Sequence, residues 1–293
     1  MHEGTATLWR PRSHGRRIGS VRASMGVRLV QAKSILQQSR LPDTRYVINP
    51  YIGCVHGCVY CYARFMKRFT GHPEPWGTFL DAKVNAADLL RQQLAHRREP
   101  ITDAVFLSSV TDPYQPAEKR YRLTRALLEV LLEYQVPISI LTKSDLVLRD
   151  IDLLERFASC RVGLSISTLD VALARRLEPR AVSPARRLSA LRTLREHGVR
   201  TYAFVSPCLP GITDLDRLIE ELSGTIDEVG FEAINTHGGN WRGVERALSE
   251  SYPELLVSCR DSARDEGVWE KMEARAGELA GEYRIHEMGF YRH

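Results

Sequence analysis

Cys54, Cys58 and Cys61 stand in one short segment, Asn49-Pro50-Tyr51-Ile52-Gly53-Cys54-Val55-His56-Gly57-Cys58-Val59-Tyr60-Cys61-Tyr62, with C-x3-C-x2-C spacing. Three thiolates on one loop can hold an iron–sulfur cluster. An all-cysteine donor set is soft and favours such a cluster over a hard cation. A cubane has four irons, so three thiolates leave one iron without a protein ligand, open to chemistry. Two other readings of the loop stand beside this one. A zinc ion wants four ligands, and His56 or a distant cysteine would have to be the fourth; yet Cys160, Cys208 and Cys259 form no second C-x2-C pair. A redox pair at Cys58 and Cys61 would leave Cys54 surplus.

A loop of this kind must be held by something larger. The chain has 293 residues, 43% hydrophobic and 26% charged, enough for one large domain or two ordinary ones. It contains no run of about eighteen apolar residues, so no membrane span is expected. The arginine-rich N-terminus lacks an apolar h-region, which argues against secretion. Six cysteines with a single tight cluster do not make a disulfide framework. An open iron needs reducing surroundings, so a cytoplasmic protein is expected. A net charge of +5 is compatible with a polyanionic partner without requiring one.

Residues 1–43 carry Arg10, Arg12, Arg16, Arg17, Arg22 and Arg28 among small and polar residues, which predicts a basic, partly irregular arm. From there to residue 240, apolar runs alternate with amphipathic helical stretches, the pattern of a parallel sheet wrapped by helices. The runs are Tyr46-Val47-Ile48, 104–107, 138–141, 162–166, 202–205 and 231–234. Helices are predicted near 82–98, 119–135, 145–158, 184–197 and 214–228. Six such units make an α/β fold, a partial (β/α)6 TIM-like barrel over 44–240. The stretch 241–293 reads as a helical extension packed on the barrel, with a helix at 265–282.

In such barrels the site is built at the C-terminal ends of the strands, and the cysteine loop follows the first one. After the second come Ser108-Ser109-Val110-Thr111-Asp112-Pro113-Tyr114-Gln115-Pro116, where the hydroxyls of Ser109 and Thr111 and the Asp112 carboxylate can accept from an ammonium group. A turn built on Asp-Pro and Gln-Pro is the plainer reading of the segment. Lys143 follows the third strand as a cation able to pair with a carboxylate. Ser165 and Ser167 end the fourth, Ser206-Pro207-Cys208-Leu209-Pro210-Gly211 the fifth, and His237 follows the sixth.

The Asn49-Pro50-Tyr51 start, the cysteine loop with Tyr60 and Tyr62, the Thr111–Pro116 segment and Thr142-Lys143-Ser144 together resemble the spore photoproduct lyase-like branch of the radical S-adenosylmethionine (SAM) superfamily. The resemblance runs from about residue 30 to 240. It implies a partial (β/α)6 barrel, a 4Fe-4S cluster on Cys54, Cys58 and Cys61, and SAM chelated at the open iron. SAM would then be cleaved to a 5′-deoxyadenosyl radical that abstracts hydrogen from a substrate. An external electron donor such as flavodoxin or ferredoxin is implied as well. Tyr60 would lie against SAM, with Ser109, Thr111, Lys143, Ser165 and Ser167 as the other cofactor-binding candidates. Tyr60 and Tyr62 match tyrosines that return hydrogen in the true lyases. Those lyases place a donor cysteine at the end of the second strand, where this chain has Ser108-Ser109. A serine O–H is too strong to take that role, and Cys208 is the candidate substitute. A nucleic acid lesion is therefore one expected substrate. A protein or small-molecule substrate, or a non-catalytic iron–sulfur or zinc protein, are the alternatives.

Overall fold

The structure, a computed structural model, describes residues 26–41, 44–236 and 240–292. Most of the basic arm, residues 1–25, and His237 lie outside the described residues. Three strands, β1 (Val27–Val30), β4 (Tyr51–Ile52) and β5 (Leu80–Lys83), form a small sheet with β5 in the middle. The main sheet contains β2 (Leu36–Gln38), β3 (Tyr46–Ile48), β6 (Val105–Leu107), β7 (Ile138–Thr142), β8 (Cys160–Ser165), β9 (Arg200–Cys208), β10 (Glu228–Ala233) and β11 (Glu287–Tyr291). Its order is β11-β10-β9-β8-β7-β6-β3-β2. Only β2 runs antiparallel to its neighbour; the other pairs are parallel. The edge strands β2 and β11 do not meet, so the fold is an open, partial barrel of α/β type.

All six strands expected from the apolar runs are present, because a parallel sheet covered on both faces needs near-continuous apolar strands. Ile48, Val105, Leu107, Ile140, Val162, Leu164, Val205 and Phe231 are fully buried, each worth about 1.5–3 kcal/mol over exposure. Helix Leu123–Glu133 covers the sheet with Leu127, Leu128 and Leu131. Register aligns the strand ends: Ile48 lies opposite Leu107, Leu107 opposite Ile140, and Thr142 opposite Leu164. Whatever follows these residues therefore shares one rim.

The helices differ in detail from the sequence reading. The stretch expected near 82–98 begins with β5 and becomes helical only at Ala86–Ala95. The stretch 119–135 breaks at Arg122, whose backbone is left-handed (φ 51°), into Glu118–Tyr121 and Leu123–Glu133. The 145–158 stretch is a 3-10 turn, Asp145–Asp150, followed by Ile151–Leu154. Residues 27–30 and 36–38, within the arm expected to be irregular, form β1 and β2. Helix Glu266–Glu282 matches its expected position, and Trp269, Ala276 and Leu279 join the core of the barrel strands. β11, which follows it, was unforeseen: its Glu287-Met288-Gly289-Phe290-Tyr291 is largely exposed and offers no apolar run.

Candidate active site

The cysteine loop leaves β4 and turns twice through left-handed backbone, at Gly53 (φ 88°) and Gly57 (φ 66°), a region glycine enters without strain. Both turns are also crowded. A Cβ at Gly53 would sit 2.6 Å from the Phe79 carbonyl oxygen, and one at Gly57 2.8 Å from the Arg180 guanidinium. Neighbouring segments clamp the loop. Thr111 Oγ1 donates to the Gly53 carbonyl at 2.5 Å, and the Val55 amide to Gln115 Oε1 at 3.1 Å. Arg180 donates to the Val55 carbonyl at 2.6 Å and to the Gly77 carbonyl at 2.5 Å. The Val59 amide donates to the Leu177 carbonyl at 2.9 Å.

All three loop cysteines are free thiols, Cys58 buried and the other two half-buried. Burial pushes the Cys58 thiol up to about 12. It also raises Cys54, which Asp112 and the thiols of Cys58 and Cys61 raise further, so the three sulfurs share one neighbourhood. Cys61 is raised by burial and drawn back by the Ala63 amide and the Trp76 indole. Trp76 Nε1 is buried without an oxygen or nitrogen partner. A buried N–H beside a sulfur suits a metal-bound thiolate, which accepts such bonds. Among the described residues, no three His, Cys, Asp or Glu side chains gather round a single ion. A cubane instead takes each thiolate on its own iron, and this donor set fits it.

Within electrostatic reach of Cys58, a cluster of charged and hydroxyl side chains gathers past the ends of β7 and β8. Lys143, directly after β7, donates from Nζ to Ser165 Oγ at 2.7 Å and stands 3.9 Å from Glu178 Oε1. Its ammonium also lies 5.8 Å from the centre of the Tyr60 ring, within cation–π reach. The Tyr60 phenol donates to Glu178, Arg187 pairs with the other carboxylate oxygen, and Ser167 Oγ lies 3.5 Å from Glu178. Burial opposes charge on Glu178, but Arg187 and Lys143 outweigh it and hold the carboxyl below its usual range. Lys143, Glu178 and Arg187 all act electrostatically on the Cys58 thiol.

Two short helices deliver this pocket. Asp170 caps helix Val171–Leu177 by accepting from the Ala172 and Leu173 amides, which sets Glu178 just past its end. Ser183 caps helix Pro184–Glu196, with proline at its first turn, and aims Arg187 inward. Arg187 Nη1 further donates to the Ser165 carbonyl at 2.7 Å.

Asp112 supports the rim. It accepts from Thr142 Oγ1 at 2.7 Å, the Lys143 amide at 2.8 Å and the Tyr114 amide at 2.8 Å, with His56 Nε2 at 3.2 Å. Burial alone would raise it; His56 and these donors bring the carboxyl down to about 2. His56 is thus turned to Asp112 and the Arg180 carbonyl rather than serving as a fourth ligand.

Of the sequence candidates, Tyr60, Lys143, Ser165 and Ser167 meet around Glu178. Ser109 and Thr111 do not join them. Ser109 Oγ accepts from Asn49 at 3.2 Å and Thr111 serves Gly53 and Gln115. The chain is redirected there by Ser108, a buried residue with φ 71°. Tyr62 stays nearly half exposed, its phenol donating to the Ser109 carbonyl. Cys208 is the last residue of β9, as expected, but it is fully buried, with Sγ 3.3 Å from the Val205 carbonyl. Sequence reasoning missed Glu178 and Arg187. Glu178-Pro179-Arg180, a proline-marked break between the fourth strand and the helix expected at 184–197, was the available signal.

The radical SAM superfamily profile matches residues 48–222. An uncharacterised protein of Methanocaldococcus jannaschii is 38% identical over 225 residues, spanning 77% of this chain and 83% of its own. A radical SAM Nα-GlyT isomerase of Pseudomonas phage M6 is 29% identical over 220 residues, spanning 73% of this chain and 44% of its own. Spore photoproduct lyase complexed with dinucleoside spore photoproduct shares the fold, with a TM-score of 0.63 at 17% identity, covering 90% of this chain and 82% of that one. With the cysteine loop and the pocket of Lys143 and Glu178 inside the matched span, the chain belongs to the radical SAM superfamily, enzymes that use SAM and an iron–sulfur cluster.

Proposed function

We propose that Cys54, Cys58 and Cys61 hold a 4Fe-4S cluster and that the pocket at the ends of β7 and β8 binds SAM, for hydrogen abstraction from a nucleic acid. When bound and reduced, by a donor such as flavodoxin or ferredoxin, the cluster supplies the electron that splits SAM to a 5′-deoxyadenosyl radical. The observation that carries the reading is a cluster of Lys143, Arg187 and Glu178, charges of both signs close enough to act electrostatically on the Cys58 thiol. SAM carries a carboxylate, an ammonium and a sulfonium, so a site for it needs both signs at the cluster.

Lys143 is suited to the carboxylate, because its ammonium stands 3.9 Å from Glu178 rather than in close contact with it. Ser165 fixes the direction of its ammonium, and Glu178, held by Tyr60 and Arg187, keeps a negative charge nearby. Tyr60 remains a neutral phenol, since burial and Glu178 both raise it. Tyr62, nearly half exposed with its phenol on the Ser109 carbonyl, is the proposed hydrogen donor to the substrate radical, and the tyrosyl radical it leaves regains one electron from the same external donor and a proton from water. Cys208 has no part in this proposal, as its thiol is turned into the core. The cluster's need for reducing surroundings supports a cytoplasmic enzyme.

A nucleic acid substrate is supported by the basic balance of the chain and by the lyase of the same fold, which is complexed with a dinucleoside photoproduct. The reading is tested by adding ultraviolet-irradiated single-stranded DNA to the anaerobically reconstituted, reduced protein with SAM. Release of 5′-deoxyadenosine should accelerate, and the acceleration should fall as salt rises from about 50 to about 200 mM. No acceleration by DNA or RNA would remove the nucleic acid from the account. Among the described residues no helix is long and apolar enough to cross a membrane.

A further inference from the structure

The 3-10 helix Tyr62–Phe69 begins directly after Cys61, and its outer face takes no part in the pocket described above. Phe65 is 44% exposed and Phe69 67%, and both follow the half-exposed Tyr62 along the helix. Such large rings facing water in a row are uncommon, because exposure forfeits their burial energy. The same helix carries Arg64, Lys67 and Arg68 and no acidic residue in its first turn. The Arg68 guanidinium carbon lies 4.7 Å from the centre of the Phe69 ring and 5.6 Å from that of Phe65. Among the described residues no carboxylate pairs with Arg68. Lys67 Nζ donates to the Pro73 carbonyl at 3.1 Å.

The row is anchored at the barrel mouth, where the Tyr62 phenol donates to the Ser109 carbonyl at the end of β6. It runs outward from there. A 3-10 helix rises ~2.0 Å per residue, so successive rings stand ~6 and ~8 Å apart along it. Bases stacked in one strand are ~3.4 Å apart, so a base held between two rings needs ~6.8 Å, a separation the two axial intervals bracket. Every nucleobase offers a π face to such a ring or to a guanidinium plane, whatever its sequence.

We propose that Phe65, Phe69 and Arg68 form a stacking platform that leads a single-stranded nucleic acid into the barrel mouth. The proposal rests on the nucleic-acid reading given above and assigns the strand its path. Arg68 lends a positive charge to the backbone while the rings take the bases. An acidic protein would use Lys67 and Arg68 but would have no use for the exposed rings.

The test is fluorescence anisotropy of a labelled twelve-residue oligothymidine with the full chain, beside an abasic strand carrying the same number of phosphates. The native protein should bind the oligothymidine more tightly than the abasic strand. Phe69→Ala should weaken that binding about tenfold, the loss of one base–ring stack, while Phe69→Tyr, which keeps a ring, should bind like the native protein. Phe65→Ala with Phe69→Ala should weaken it further. Native binding that survives Phe69→Ala undiminished, or equal binding of the abasic strand, overturns the platform and leaves the nucleic-acid reading standing. Failure of the native protein to bind either strand overturns both. Displacement of the oligothymidine by polyglutamate at equal charge concentration overturns the platform in favour of an acidic protein partner.

Discussion

The Tyr60 phenol, in the cysteine loop, donates to the carboxylate of Glu178, 118 residues further along the chain. One hydrogen bond thereby ties the thiolate loop to the strand-end pocket, and Arg187 holds the same carboxylate from the other side. Arg187 is itself fully buried. Glu178→Gln should therefore cost about 3–5 kcal/mol of stability, because a buried guanidinium loses its counter-charge. Urea unfolding of the two proteins at pH 7 measures this, and a loss below about 1 kcal/mol would mean that water reaches the pair.

Asp112 gives the fold an acid-sensitive element. Its carboxyl sits at about 2 in the folded protein against an ordinary 3.8. A depressed carboxyl stabilises the fold above its unfolded value and loses that contribution as pH falls toward the folded one. The difference corresponds to about 2 kcal/mol, present at pH 5 and above and lost between about pH 4 and pH 2. Glu178, also depressed, acts in the same direction. Unfolding free energies at several pH values should fall across this window, and Asp112→Asn should flatten the slope while lowering stability at pH 7.

Lys143→Ala should weaken SAM binding by about ten- to a hundredfold, the range for losing a charge-assisted contact. Iron content should stay unchanged, since Lys143 holds no sulfur. Equilibrium dialysis with labelled SAM on the reconstituted protein reads the first, and a colorimetric iron assay the second.

Gly53 and Gly71 both have left-handed backbone, but only Gly53 is crowded: its Cβ would meet the Phe79 carbonyl, whereas nothing lies within 4 Å of one at Gly71. Gly53→Ala should therefore displace the loop and reduce the iron retained after reconstitution. Gly71→Ala, with the same backbone cost of about 1 kcal/mol, should retain it. Equal iron in both variants would mean that the loop tolerates the shift.

The barrel strands were readable because their two-sided burial leaves apolar runs such as Ile138–Leu141, which no amphipathic helix would show. β5 and β11 were not. The first is four residues, Leu80–Lys83, running into the start of a helix-like stretch, and the second is an exposed edge. At the site, the rule that function follows strand ends reached Lys143, Ser165 and Ser167, and the cysteine loop led to Tyr60. It could not reach Glu178, just past the end of one helix, or Arg187, within another, since charged residues at such places ordinarily face water. Nor could it foresee that Ser108 would turn the chain so that Ser109 and Thr111 serve Asn49 and Gly53. Which hydroxyl points where depends on one backbone angle that the residue type does not fix.

The most direct test of the account is the release of 5′-deoxyadenosine from SAM by the anaerobically reconstituted, dithionite-reduced protein, beside Cys58→Ala. Release by the native protein and none by the variant is the predicted result. No release from a native protein that retains zinc in place of iron would contradict it and leave the loop a structural metal site.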